Sequence, residues 1–340
     1  MRIAVDAMGG DHGPRVIVPG ALRGLASLGP EASLILLGDE DAIRRAMPAD
    51  APTDSVTIHH APDEIHMDEA PAAALRRKPD SSLARAIALV QEGKADALLS
   101  AGSTGAVVAG SLLKLKRIGN VHRPAIATSF PSDRGRCIVL DAGANANCKP
   151  QHMLQFAMMG SVYAQIHLGL EKPRVGLLNI GEEDSKGNDL ATAAFALLRD
   201  SNLNFVGNVE GRDILGGGAD VVVCDGFVGN IVLKFGESML RFMGKHLRSE
   251  ISRSWRLKLG ALLLKPAFDS FRQRVDYQEE GGAPLLGVNG IVMITHGSSP
   301  ALAIENATIS AGSLVANRMN EQILELLQDT PLVADKSTTK

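Results

Sequence analysis

The chain has 340 residues, 45% of them hydrophobic, with a formal net charge of -3. That length and apolar content suffice for a large core, and the near-neutral charge leaves no global basic field to hold nucleic acid. Aromatic residues make up only 4%, too few for a base-stacking surface, so no nucleic-acid partner is expected.

Ile3–Val5 reads as a first strand ending in Asp6, followed by the loop Ala7–Pro14 and a helix over Arg15–Leu28. Leu34–Leu37 and Val56–Ile58 are the next strands. His66–Pro71 is polar and turn-like. Helices are expected over Ala72–Arg77 and Leu83–Val90, with Ser81-Ser82 as a cap between them. The strand Ala97–Leu99 runs into Ser100–Gly105, and a helix follows over Ala106–Lys116. In that loop Gly102 and Gly105 let backbone N–H groups approach an anion, while Ser103 and Thr104 add hydroxyls. A tight turn with a helix cap explains the loop equally well. It is neither a dinucleotide fingerprint nor a Walker loop nor a nucleophile elbow.

Ala125–Phe130 and Cys137–Leu140 are strands, the second ending in Asp141-Ala-Gly-Ala-Asn145-Ala-Asn147. The helix over Gln151–Leu168 is apolar on most faces and is expected between layers. Val175–Ile180 is a short apolar run of the kind buried in parallel sheets. It breaks at Gly181 into a polar loop bearing Glu182, Glu183, Asp184 and Lys186, and a helix begins at Leu190 behind Asn188 or Asp189 as cap. Phe205-Val206 and Val221–Val223 follow. The latter leads into Cys224-Asp225-Gly-Phe-Val-Gly229-Asn230, with a helix from about Ile231. Leu286–Thr295 holds a last strand, closed by His296–Ser299, and one long helix is expected from Pro300 to Leu327. The tail 331–340 reads as disordered.

Strands alternating with helices predict an α/β fold, a mostly parallel sheet with helices on both faces, as a single α/β/α domain over 1–330. Such sheets bind ligands beyond the carboxyl ends of their strands. Asp6, Asp141 and Asp225 would then converge at one edge with Asn145, Asn188 and Asn230, the cations Lys149, Lys186 and Lys234, and His12, His66 and His296. That cleft would suit phosphate and an oxyanion, and no metal-ligand spacing is present. Cys148 beside Lys149 is read as a buried or tolerated thiol rather than a nucleophile. The three cysteines form no C-x-x-C pair and suit a reducing compartment.

One segment departs from the pattern. Lys245–Arg274 holds eight Lys/Arg against two acids. Leu247, Ile251, Trp255, Leu259 and Leu262 fall at helical spacing, with an apolar tip at Leu262–Leu264. The stretch 240–280 is therefore expected to protrude for dimer or membrane contact, through Arg253, Arg256, Lys258, Leu259, Leu262 and Leu263.

Seven blocks taken together resemble one family: AVDAMGGDHGP (4–14), SAGSTGA (100–106), DAGANANCKP (141–150), LLNIGEEDSKGN (177–188), NVEGRDI (208–214), DVVVCDGFVGNIVLK (220–234), and GGAPLLGVNG with THGSS (281–299). They resemble the bacterial phosphate acyltransferase of phospholipid synthesis, the PlsX family. Ser103 departs from the family's usual Asn, leaving a hydroxyl in place of an amide donor. The resemblance implies a Rossmann-like fold similar to phosphotransacetylases and isocitrate/isopropylmalate dehydrogenases. It implies conversion of acyl-[acyl-carrier protein] and inorganic phosphate to acyl phosphate, which feeds a glycerol-3-phosphate acyltransferase. It also implies a homodimer without cofactor, cytoplasmic and peripherally associated with the cell membrane. In that frame Lys186 and Asn230 are expected at the reaction, with His66 or His296 as general acid. Asp6, Gly102, Ser103, Thr104, Gly105, Asn145, Asn188, Asp225 and Gly229 are expected around phosphate and substrate. An acyl-CoA-using relative and a non-catalytic membrane scaffold of the same fold are the alternatives.

Overall fold

A computed structural model describes residues 1–52, 54–275 and 281–329. The expected disordered tail and residues 276–280 of the protruding stretch lie outside the described residues. The first half of the chain runs β1 (Arg2–Asp6), α1 (Pro14–Ala26), β2 (Ser33–Gly38), α2 (Glu40–Ala46), β3 (Val56–His60), α3 (Pro71–Arg77), α4 (Ser82–Gln91), β4 (Ala97–Ser100), α5 (Thr104–Lys114), β5 (Ala125–Ser132), β6 (Gly135–Leu140) and α6 (Pro150–Leu168). The second half continues β7 (Val175–Leu178), α7 (Asp189–Arg199), β8 (Phe205–Val209), α8 (Gly211–Gly216), β9 (Val221–Val223), α9 (Gly226–Ser252), α10 (Trp255–Leu263), α11 (Lys265–Val275), β10 (Ala283–Leu286), β11 (Ile291–Ile294), α12 (Ala301–Ala316) and α13 (Met319–Asp329).

All eleven strands form one sheet, ordered β3-β2-β1-β4-β11-β10-β5-β6-β9-β7-β8. The central strands β4, β9 and β11 are buried at every position, which is why they read as unbroken apolar runs. One face of the sheet packs against α1, α6, α7, α12 and α13 in a single continuous core. The other face carries two separate clusters, one under α4 and α5, the other under α8. Leu233 of α9 touches the first cluster and Val232 the second, so the start of α9 runs along their boundary.

The pairing overturns the expectation that the strand ends converge at one edge. Strands β2, β3, β1, β4 and β11 are parallel. Strand β10 is antiparallel to both β11 and β5, and β5 is antiparallel to β6. The block β6, β9, β7, β8 is parallel within itself and opposed to the first block. Asp6 and Ser100 therefore leave the sheet at one edge, and Leu140, Val223 and Leu178 at the other.

Three further expectations, one of a strand and two of helices, are also revised. The run Leu286–Thr295 is a hairpin of two strands turning through Gly287–Gly290, not one strand. The final helix is broken at Asn317-Arg318, where Arg318 adopts a φ of 52°. The stretch from Leu247 to Leu262 is not one helical face, because Ser254 is extended (ψ 143°) and caps α10, separating Leu247 and Ile251 from Trp255, Leu259 and Leu262.

Candidate functional site

Each edge of the sheet gathers its own set of the expected residues. At the first, Asp6 is 2% exposed at the end of β1. Its Oδ1 accepts from Ser82 Oγ (2.6 Å) and its Oδ2 from Ser100 Oγ (2.7 Å). Burial pushes the Asp6 carboxyl up, against those two hydroxyls and the N–H groups of Met8 and Gly9, which pull it down. Ser100 Oγ in turn accepts from Gly102 N–H (3.0 Å), fixing the loop before α5. Gly9 and Gly102 touch so closely that a Cβ on Gly9 would stand 2.7 Å from the Gly102 nitrogen. Ser103 is the buried first cap of α5 but makes no capping hydrogen bond, while Thr104 and Gly105 are exposed. His296 follows β11, whose successor Thr295 bonds to the Ser100 carbonyl (2.9 Å). His296 Nδ1 pairs with Ser298 Oγ (2.8 Å). His66 is exposed and ion-paired with Glu64 (3.2 Å). Its neighbour Met67 lies over Gly297. Asp6, His66, Gly102, Ser103, Thr104, Gly105 and His296 thus share this edge.

At the opposite edge Asp141 is fully buried after β6 and organises the loop that follows. Oδ1 accepts from the N–H groups of Ile126, Gly143 and Ala144 (3.0, 3.1 and 2.9 Å). Oδ2 accepts from Asn145 N–H (2.7 Å) and Asn145 Nδ2 (2.8 Å). Burial raises this carboxyl, and those donors oppose the shift. Asn145 also donates to the Pro124 carbonyl (2.7 Å), tying the loop to the start of β5. Helix α9 starts at Gly226 rather than near Ile231: Asp225 is its cap, accepting from Val228 N–H (2.9 Å), so Asn230 falls in its first turns rather than before it. Gly229 packs on the Asp141 main-chain oxygen with no room for a Cβ, and the Asn230 side chain lies against Gly143.

A cavity of about 410 Å³ opens at this second edge, between the ends of β7 and β9 and the starts of α6, α7 and α9. Asn179, Gly187, Asn188, Cys224, Asp225 and Val228 are among its lining residues. Asn188 caps α7, accepting from Ala191 N–H (2.9 Å). Two helix amino termini therefore point at one cavity, which makes it a place for an anion. Lys186 adjoins it through Gly187 and is exposed, with no hydrogen bond or ion pair from its ammonium among the described residues. Its loop is held instead by the main chain: Lys186 N–H reaches the Glu183 carbonyl (3.0 Å), and Asn208 Nδ2 donates to the same oxygen (2.8 Å).

Asn179 was not singled out from sequence, yet it shapes the cavity. Its Nδ2 donates to the Lys186 carbonyl (2.9 Å) and its Oδ1 accepts from Ile180 N–H (2.8 Å). The available signal was an amide ending an apolar strand. Ser82, read only as part of a cap, is likewise a partner of Asp6. Cys148 is half-buried, its thiol pushed up to about 11 by burial and then by Asp141, and burial pushes Cys224 well above the usual range. Neither supplies a thiolate near neutral pH. Among the described residues no cluster of His, Cys, Asp and Glu is arranged to hold a metal ion.

The sequence profile of the family described as "Fatty acid synthesis protein" matches residues 1–322. A phosphate acyltransferase of Pelotomaculum thermopropionicum is 51% identical over 323 residues, covering 95% of this chain and 94% of that one. One from Moorella thermoacetica is 47% identical over 340 residues, covering 100% and 98%. Among solved structures, the EutD phosphotransacetylase from Staphylococcus aureus superposes with a TM-score of 0.59 at 17% identity, over 93% of this chain and 94% of that one. A branched-chain phosphotransacylase from Enterococcus faecalis gives 0.59 at 16%, over 92% and 99%. The last two likenesses concern the fold.

Proposed function

Because the chain belongs to the phosphate acyltransferase family, we propose that it moves the acyl group of acyl-[acyl-carrier protein] onto inorganic phosphate, at the cavity between α7 and α9, for phospholipid synthesis. The observation that carries this is the pair of helix amino termini facing one cavity beside the unpaired Lys186. Phosphate sits against the first-turn N–H groups, with Lys186 as a point charge on the rim. Asp225 on the wall disfavours a bare dianion and favours a phosphate whose proton is turned toward that carboxylate.

A phosphate oxygen attacks the thioester carbonyl, and the oxyanion is met by the Asn230 amide, since the N–H groups of the 143–145 loop are already held by Asp141. The C–S bond then breaks, the carrier thiol leaves with a proton derived from the phosphate, and acyl phosphate remains. Phosphate is itself the nucleophile, so no enzyme nucleophile is needed. The general-acid role expected of His66 or His296 is not carried forward: their loops leave the sheet at the other edge, and no histidine lines the cavity. The Asp6–Ser100–Gly102 cluster accordingly serves as a rigid support for the α5 loop.

The test is phosphate-dependent release of free thiol from palmitoyl-acyl-carrier protein, with hydroxylamine trapping of acyl phosphate. Release and trapping together support the transferase. Use of acyl-CoA in place of the carrier protein would establish the related phosphotransacylase instead, and no release from folded protein would favour a scaffold.

A second reading concerns α9 to α11. No described helix is long and apolar enough to cross a membrane. Yet α9 exposes Phe227, Ile231, Phe235, Met239, Phe242 and Met243 along one stripe, and α10 exposes Trp255, Leu262 and Leu263 at 70%, 65% and 76%. A stripe of this length calls for a second copy of the chain, and the basic, apolar-tipped α10 suits peripheral contact with an anionic membrane. Such contact would bring acyl phosphate to a membrane glycerol-3-phosphate acyltransferase.

A further inference from the structure

A second basic surface lies away from α9 to α11, and neither the cavity nor the fold accounts for it. From Ala97 to Ser132 the chain has no acidic residue but carries Lys114, Lys116, Arg117 and Arg123. From Ala142 to Leu170 it again has none, and carries Lys149. The fold joins the two stretches. Arg117 Nη1 donates to the His122 carbonyl (2.6 Å), and the His122 ring meets that of His152 in the first turn of α6 (centroids 5.9 Å apart). His152 Nδ1 accepts from Lys149 N–H (3.1 Å). The result is one continuous face made from the end of α5, the loop to β5 and the start of α6.

Lys114, Lys116, Arg117 and Arg123 are all exposed, and none forms an ion pair among the described residues. On the protruding helices Arg253 is held by Glu250 (2.8 Å) and Lys265 by Asp269 (2.7 Å), while Arg256 and Lys258 likewise form no ion pair among the described residues. Leu113, 61% exposed, stands among these charges, giving the face an apolar centre with a charged rim. Positive groups so close to one another repel, and burial with His122, Arg123 and Lys149 holds the His152 imidazole down to about 4. A face that bears this repulsion when free gains most when an anionic surface covers it.

The face adjoins the cavity. Met153, next to His152 on α6, lines it, and Arg123 and Asp225 both act on Cys148. We propose that this face is the docking surface for the acidic carrier protein that delivers the acyl thioester. A protein seated there puts a tethered thioester at the cavity mouth, whereas lipid contact belongs to the apolar α10. The inference rests on the reading of the chain as an acyl-carrier-protein-dependent transferase.

The test compares wild type with Lys114→Glu/Arg123→Glu, exposed residues whose side chains make no hydrogen bond among the described residues and whose replacement is expected to leave the fold intact. Arg117→Glu is a second variant. Donors are palmitoyl-acyl-carrier protein and the protein-free thioester palmitoyl-pantetheine. The double variant should raise the KM for the carrier-protein donor about ten-fold or more and flatten its salt dependence. Its KM for phosphate and its rate with the pantetheine thioester should stay unchanged. An unchanged KM for the carrier donor overturns the proposal, as does an equal loss with both donors. So does the loss appearing instead in Arg256→Glu/Lys258→Glu, or a loss confined to binding of anionic phosphatidylglycerol vesicles. Wild type that is inactive with the carrier protein but active with acyl-CoA would sink the transferase reading itself, which is a distinct result.

Discussion

The main-chain oxygen of Asp141 fills the space that a side chain on Gly229 would need. The obstacle is backbone at the end of a buried strand, so no rotamer change relieves it. The Asp141 loop and the first turn of α9 are thereby locked together, and with them Asn145, Asn230 and the wall of the cavity. Gly229→Ala should displace α9 from the loop. The expected outcome is a loss of about 2 kcal/mol in urea unfolding, with phosphate-dependent thiol release reduced at least ten-fold. Wild-type activity in the folded variant would show that the two elements need not touch for turnover.

Lys186 offers the cleaner functional probe, because its ammonium has no partner among the described residues and its loop is held by main-chain bonds. Lys186→Ala should leave stability within about 0.5 kcal/mol of wild type. It should raise the KM for phosphate about ten-fold or abolish turnover. Unaltered phosphate kinetics would remove Lys186 from the site.

His152 supplies a pH signature. Its folded value of about 4 lies below the ordinary 6.5, chiefly through burial and then through His122, Arg123 and Lys149. Between those values the unfolded chain takes up a proton that the folded chain refuses. Its contribution is therefore complete above pH 6.5 and declines as the pH falls toward 4. Wild type should lose about 2 kcal/mol more than His152→Gln on going from pH 7 to pH 4.5 in denaturant titrations. Parallel losses in both proteins would mean the ring titrates normally.

The α9 stripe predicts association. Phe235 and Phe242 are 63% and 60% exposed on the same helix. Phe235→Asp/Phe242→Asp should convert a dimer to a monomer in sedimentation, since each charge would be buried without a partner at a two-fold contact. A dimer that survives both changes lies on another surface.

Strands were the most legible part of the chain, because a buried strand must be apolar at nearly every position, as in Ala97–Leu99 and Val221–Val223. Caps were legible for the same local reason, and Asn188 and Ser81 accept the N–H groups expected of them. Strand direction was not. It depends on three antiparallel pairings in a row: the first two, made by β10 with β11 and with β5, cancel, and the hairpin from β5 into β6 then reverses β6, β9, β7 and β8. That reversal parts Asp6 from Asp141, two residues with identical local patterns. The start of α9 was misplaced because Gly226 and Gly229 look like loop residues; only the contact with Asp141 shows why a helix needs glycine there.

The pair β10 and β11 sits between β4 and β5 although it comes from residues 283–294. During synthesis, both halves of the sheet therefore emerge before the strands that join them. Until then β4 and β5 each present an open edge, a template for unwanted pairing. A nascent chain stopped short of Ala283 cannot close the sheet, however well its two halves have formed. Closure of the central sheet is thus deferred until residues 283–294 emerge, and termination before them should yield aggregates rather than a smaller working enzyme.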